Sequence, residues 1–424
     1  MEQRKETPWG MVPQTWKISI VKDEALLVTD YVANGSFASL AENVEYKSEE
    51  DYAVLVRLVD YNNDFQGPFV FIDESAYEFL AKSKLYGDEI IISNVGANVG
   101  TVFKCPKLKW KMSLAPNAIM VKFKGNNDFY YYWLKSKYGQ YMLSSIVTGS
   151  AQPKFNKTDF RDLAIPVPPI SEQKQIAKVL ASLDDKIELN RRINDNLEQQ
   201  AQALFKAWFV NNPNPNWREA TLSEVAHFIG GYSYNGEELT DSSNVAMATI
   251  KNFGRNGGFK VDGFKDITPS GKLKKCHYAN MFDILVAHTD LTQNADVIGN
   301  AELLLTKGNY ESIIFSMDLV KVLPNNSFPY KFLLAAMLKS KVFKGHCLGY
   351  VNGTTVLHLS KKALPEFEIK IPSESEANMM NDTLASLYKR MAEVLQENDR
   401  LTRLRDTLLP KLMSGELKIN DLNC

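Results

Sequence analysis

The chain has 424 residues, 45% of them hydrophobic and 23% charged, which matches a soluble globular protein and exceeds what one hydrophobic core supports. Two or more domains are expected, and the composition argues against disorder and against a fibrous or membrane class. A net charge of -1 advertises no nucleic-acid binder, yet residues 1–100 hold 8 Lys or Arg against 17 Asp or Glu, while 101–161 hold 11 against Asp128 and Asp159 alone.

The start, MEQRKETPWG, lacks the apolar stretch of a secretory signal, and no run of about 18 apolar residues follows, so a cytoplasmic location is expected. Short β-type runs come next at Ala53 to Val56, Glu89 to Ile92 and Ala118 to Phe123, broken by Gly, Asn and Asp. An aromatic-rich helical stretch covers Phe129 to Leu143. After Pro168-Pro169 a long helix is predicted, with Ser171 as its N-cap. Its seam residues recur three and four apart at Ile176, Leu180, Leu183, Ile187, Asn190, Asn194, Leu197, Ala201, Leu204 and Trp208. Asn211 to Trp217 reads as a Pro/Asn linker.

The pattern then repeats. A second basic block, Lys251 to Met281, sets seven Lys or Arg against Asp262 and Asp266. β-type runs follow at Ile284 to Ala287 and Ser312 to Leu323, then a helical stretch from Pro329 to Phe343. A second seam runs through Met380, Leu384, Leu387, Met391, Val394, Asn398, Leu401, Arg405, Leu408 and Leu412. An offset of 204 positions lays Leu134-Lys135-Ser136-Lys137 on Leu338-Lys339-Ser340-Lys341, Thr148-Gly149 on Asn352-Gly353, and Leu180 to Leu183 on Leu384 to Leu387. Upstream the match loosens: Trp16 pairs with Trp217, and Asp88-Glu89-Ile90-Ile91 with Asp283-Ile284-Leu285-Val286. Asn194 and Asn398 share one seam position, where a buried amide penalises shifted registers.

No adenine-pocket tetrapeptide, cofactor-gripping glycine loop, histidine triad or phosphate-binding loop is present. Cys105, Cys276, Cys347 and Cys424 are far apart, so reduced thiols and no metal are expected.

Ile165-Pro166-Val167-Pro168-Pro169-Ile170-Ser171-Glu172-Gln173-Lys174-Gln175-Ile176-Ala177, then Leu183 to Ile187 and Leu204 to Phe209, resemble the spacer of Type I restriction-modification specificity subunits. The turn Thr148 to Pro153 and the stretch Leu409 to Leu417 are similar too, whereas Pro372 to Asn378 departs from the family's Glu-Gln-rich helix start. The resemblance implies a mixed α+β fold. Two α/β target-recognition domains would alternate with two long helices that pair as an antiparallel coiled-coil spacer, giving a pseudo-two-fold internal repeat. Boundaries are expected at 1–168 and 212–372 for the domains, and at 169–211 and 373–424 for the helices with their tail.

It also implies a non-catalytic subunit that reads a bipartite, asymmetric double-stranded DNA site and docks two methyltransferase subunits and motor-nuclease subunits. Those partners, and not this chain, would hold S-adenosylmethionine, ATP and Mg. Candidate base readers, taken from polar loops, are Arg57, Asn94, Asn98, Gln152 and Lys154 in the first domain and Lys251, Asn252, Thr289, Gln293 and Asn294 in the second. Two alternatives remain open on sequence: a coiled-coil DNA-binding repressor or scaffold, and a methyltransferase or nuclease with a fused recognition domain.

Overall fold

Runs of aliphatic residues bounded by Gly, Asn and Asp become buried strands. In a computed structural model, which describes residues 3–255 and 257–419, the chain divides into two units. The first takes residues up to Asp185 and those from Thr402 onward, and the second takes Lys186 to Leu401.

In the first unit, beside two two-stranded ribbons, the strands are β1 (Ala25–Asp30), β2 (Ala53–Val56), β3 (Val70–Ile72), β4 (Lys84–Leu85), β5 (Ile90–Ser93), β6 (Val102–Lys104), β7 (Lys111–Leu114) and β8 (Ala118–Phe123). They form two four-stranded sheets, ordered β3-β2-β7-β4 and β1-β8-β5-β6. Within these sheets the parallel pair is β2 with β7, in register Val54 to Met112. In the second unit, beside a two-stranded and a three-stranded ribbon, the strands are β9 (Ala226–Gly230), β10 (Val245–Ala248), β11 (Lys265–Asp266), β12 (Tyr278–Ala279), β13 (Ile284–Ala287), β14 (Ala301–Leu303), β15 (Ser312–Phe315) and β16 (Leu319–Pro324). Their sheets are ordered β11-β10-β15-β12 and β9-β16-β13-β14, and β10 with β15 is again parallel. In the four-stranded sheets every strand number is the first unit's raised by eight, so there the repeat seen in sequence is a repeat of topology.

Three expected elements are each split, the stretch Pro329 to Phe343 among them, into helices over Lys331–Leu338 and Lys341–Leu348. The stretch Phe129 to Leu143 is two helices, α1 (Asn127–Lys135) and α2 (Lys137–Ser145), because Ser136 leaves the helical region and its hydroxyl accepts from Gly139 N to cap α2. Ser312 to Leu323 is β15 and β16, broken where Asp318 N donates to Ser316 Oγ.

The strand alignment also needs a correction of one residue. Ile90 lies in the core with Trp16 and Phe129, and its counterpart there, beside Trp217 and Leu333, is Ile284 rather than Leu285. Leu285 faces the opposite core, as Ile91 does. Side chains alternate across a strand, so a slip of one position inverts both faces.

The long helices are α3 (Ile170–Lys206) and α6 (Glu374–Met413), of 37 and 40 residues, or about 56 and 60 Å. Between them lie α4 (Lys331–Leu338) and α5 (Lys341–Leu348), the second capped by Ser340. α3 begins at Ile170, one residue before the expected cap Ser171, and Gln173 N donates to Pro169 O. Each long helix contributes to both units. In the first, Ile176 and Leu180 are buried with Leu412 and Met413, with Leu408 packed beside them. Asp184 there pairs with Arg405 at 2.8 Å. In the second, Leu384 and Met391 are buried, with Leu197 and Leu387 half-buried against them. Lys186 and Asn190 meet Glu397, and Asn398 Nδ2 donates to Ile187 O. Within each unit the α3 and α6 segments therefore run antiparallel.

Leu183, Ile187, Leu204 and Leu401 are half-buried. The seam amide shared in sequence behaves differently at its two copies. Asn398 Oδ1 accepts from Asn190 Nδ2 at 2.9 Å, whereas the buried Oδ1 of Asn194 has no hydrogen-bond partner among the described residues.

Candidate nucleic-acid interface

The polar loops singled out in sequence come together at one edge of each unit. In the first, the loop after β5 packs on the turn 148–154: Val95 bridges Lys154, Gly96 N donates to Pro153 O, and Phe155 N donates to Asn94 O. Asn94 Nδ2 also donates to Phe155 O, so Asn94 fixes the loop while Asn98, Gln152 and Lys154 are exposed. Gly149 has φ of +86°, a left-handed turn position that suits glycine. Beside this loop lies a cleft of about 650 Å³, walled in part by Tyr31, Asn94 and Asn117 and by Phe37, which is 83% exposed.

The second unit repeats the arrangement. Thr289 bridges His358, the counterpart of Lys154, and Leu359 N donates to His288 O. Gly353, like Gly149, has positive φ, at +110°. Gln293 Nε2 donates to Thr354 O at 2.6 Å, which ties loop to turn, and Asn294 is exposed. The Lys251-to-Lys260 hairpin joins them through Asn300 Nδ2 on Gly254 O and an Arg255–Asp296 ion pair at 3.6 Å.

One carboxyl, Asp290, ties this edge together, and one imidazole, His288, is enclosed beside it. Burial would raise the Asp290 pKa, but hydrogen bonds from Thr292, Val297 and Ile298 outweigh it and hold the carboxyl below its usual range. Burial, with the nearby His358 and Lys361, lowers the pKa of His288 and favours its neutral form.

Three expected readers are closed off. Asn252 is fully buried: its Oδ1 accepts from Thr249 N and its Nδ2 donates to Lys260 O. Thr289 is 6% exposed, and its hydroxyl donates to Asp318. Arg57 forks onto Asp60 with bonds of 3.0 and 2.6 Å and also donates to Pro68 O. An amide, hydroxyl or guanidinium already satisfied within the fold has little left to offer a base edge. Lys251 is exposed.

The first basic block is neutralised in part: four of its eleven basic residues have a carboxylate partner. Lys104 pairs with Asp128, and Lys109, Lys122 and Lys157 pair with Glu50, Asp88 and Asp30 from the acidic first hundred residues. The second block stays open: among the described residues no ion pair involves Lys251, Lys260, Lys272, Lys274 or Lys275. Cys105, Cys276 and Cys347 are free thiols, and Cys424 lies outside the described residues. Among the described residues no helix is long and apolar enough to cross a membrane.

This doubled arrangement has known counterparts. The family described as Type I restriction modification DNA specificity domain matches the chain twice, over residues 32–199 and 214–409. The chain belongs to that family. Among similar members, the MjaIX specificity subunit of Methanocaldococcus jannaschii is 22% identical, covering 99% of this chain and 97% of that protein. The HindI specificity subunit of Haemophilus influenzae is 27% identical over 62% of this chain and 71% of its own length. A solved S subunit from M. genitalium shares the fold, with a TM-score of 0.52, 18% identity, and coverage of 94% of this chain and 96% of that one. As in other members of the family, recognition is the shared theme, and each family match takes in one loop-and-turn edge.

Sequence reasoning missed several residues at these edges. Asp290, His358, Lys344 and the 67%-exposed Leu291 were overlooked. Two had a signal: 204 positions separate His358 from Lys154 and Lys344 from Gln140, the offset that defines the repeat.

Proposed function

We propose that this chain is the DNA-specificity subunit of a Type I restriction-modification complex, with each unit reading one half of a bipartite, asymmetric site. The carrying observation is the loop-and-turn edge built on the same plan in both units, closed by the equivalent bridges Val95–Lys154 and Thr289–His358, with exposed amides on its surface. Asn98 and Gln152 in one unit, and Gln293 and Asn294 in the other, read base edges, while Lys154, Lys251 and the open lysines of the second block contact phosphates.

On this reading the paired segments of α3 and α6 set the gap between half-sites and dock two methyltransferase subunits. Exposed apolar side chains on these helices, Leu189, Met379 and Leu404, each about half exposed, suit such docking. The chain itself is non-catalytic and acts in the cytoplasm. Its methyltransferase partners bind S-adenosylmethionine and flip the target adenine, and a motor-nuclease subunit uses ATP and Mg.

The test is methylome sequencing of host DNA with and without this gene, its partner methyltransferase gene being intact and expressed. Loss of N6-methyladenine from one split motif is the expected result. An unchanged methylome would reject the assignment.

A further inference from the structure

The two reading loops differ in length but share a strut. The connection from β5 to β6 spans 94–101, and that from β13 to β14 spans 288–300, five residues longer and including the short strand Thr289–Asp290. Each added residue brings conformational freedom that DNA binding would otherwise have to remove. The longer loop is held by convergent groups of opposite sign. The amides of Thr292, Val297 and Ile298 all donate to the carboxylate of Asp290, which is 2% exposed. From α5, Lys344 Nζ donates to the carbonyl oxygens of Ala295, Asp296 and Ile298. The loop's return is pressed onto the same helix, since a Cβ at Gly299 would stand 2.6 Å from Cys347 Cβ.

At the same repeat position on α2, Gln140 Nε2 donates to Gly100 O at 3.1 Å, again the carbonyl of the reading loop. Two different side chains therefore perform one task in the two units. A neutral amide serves the short loop, and an ammonium that gathers three carbonyls serves the long one.

We propose that Lys344 and Gln140 are positioning residues for half-site recognition, each fixing the reading loop of its own unit so that discrimination at one half-site depends on it. Neither side chain needs to touch DNA. Lys344, aided by Asp290, orders the loop that presents Gln293 and Asn294, and Gln140 orders the loop that presents Asn98. This rests on the function proposed above.

The experiment uses the full chain assembled with its methyltransferase partner. Initial methylation rates are measured on duplexes carrying every single-base change in both half-sites. For Lys344→Met, the preference for the cognate base should fall about tenfold, the scale of one base-pair contact, in one half-site only. Gln140→Met should do the same in the other half-site, and Lys344→Gln, whose amide can hold only part of the three-carbonyl set, should lose less preference than Lys344→Met. Unchanged ratios, or equal loosening of both half-sites, would overturn the proposal. Should Lys344→Met fail to fold, Gln140→Met decides alone by the same criterion. A wild-type complex that marks no split motif would overturn the function and this inference together. A normal split motif with unaltered ratios in the variants overturns the inference only.

Discussion

The indole Nε1 of Trp217 donates to Oε2 of Glu376 at 3.0 Å, joining the segment that enters the second unit to the first turn of α6. The same carboxylate accepts from Ser373 N and Ser373 Oγ, and Ser373 Oγ accepts from Glu376 N, so it closes a capping box as well. In the first unit, Trp16 donates to Glu172 at 3.1 Å. In both units, then, the tryptophan and the glutamate that align in the repeat are hydrogen-bonded to one another.

Hydrogen bonds from Ser373, Trp217 and Asn214 lower the Glu376 pKa to about 2. A depressed carboxylate contributes stability that is present above its ordinary pKa and is lost as pH falls toward the folded value. The unfolding midpoint of Glu376→Gln should lie below wild type near neutral pH, and the gap should close between about pH 5 and 2. Chemical unfolding followed across that range checks this. A gap that persists undiminished at pH 2 would assign the effect to packing of the side chain, not to its charge.

A second prediction concerns the buried charges between α4, β14 and α3 in the second unit. Lys339 contacts Glu302 and lies 3.3 Å from Glu198, with both of its partners mostly buried. Burial works against the Lys339 charge, but the two carboxylates outweigh it and raise its pKa. Lys339→Met should destabilise the fold by about 3–5 kcal/mol, because Glu302 would be left buried and uncompensated. Lys339→Met with Glu302→Leu should recover much of that. Thermal unfolding of the three proteins decides, and a double variant no better than the single would refute the argument.

Much of this was legible because repeats and periods are visible in sequence: the doubled plan followed from the offset of 204 and the looser matches upstream, and both long helices from the spacing of their seams. What escaped detection is the state of individual polar groups. Asn252 and Asn294 stand in similar Gly- and Asn-rich loops, yet the first spends its amide on Thr249 and Lys260 while the second is exposed. Nothing local distinguishes an amide that ties a loop from one that faces solvent. The first basic block misled for a related reason, since Glu50 and Asp30, which neutralise Lys109 and Lys157, lie far away in the chain. The slip between Ile90 and Leu285 shows the weakness of short strand matches, in which either face can be aliphatic.

The seam amides give a third prediction. Asn190 is 1% exposed and donates to Asn398 Oδ1 and Glu397 Oε2, both at 2.9 Å. Asn190→Leu should cost about 1–3 kcal/mol by leaving Asn398 Oδ1 without its partner. Asn190→Leu combined with Asn398→Leu should cost less than the sum of the single changes. A double-variant cycle by denaturant unfolding measures the coupling, and additive costs would mean that the amides act independently.

The open lysines make the fourth. Lys272, Lys274 and Lys275 have no ion pair among the described residues, whereas Lys109 lies 3.2 Å from Glu50 and 4.2 Å above the Trp110 ring. Each lysine that neutralises a phosphate steepens the salt dependence of DNA affinity, by about 0.9 in the slope of log affinity against log salt. Replacing the three open lysines by Gln should flatten that slope for the assembled complex by about 0.9 for each phosphate left without its ammonium, and should weaken cognate and substituted sites alike. Lys109→Gln should leave it nearly unchanged, because that ammonium is already held by Glu50. If the two substitutions alter the slope equally, spatial pairing does not govern which lysines meet the backbone.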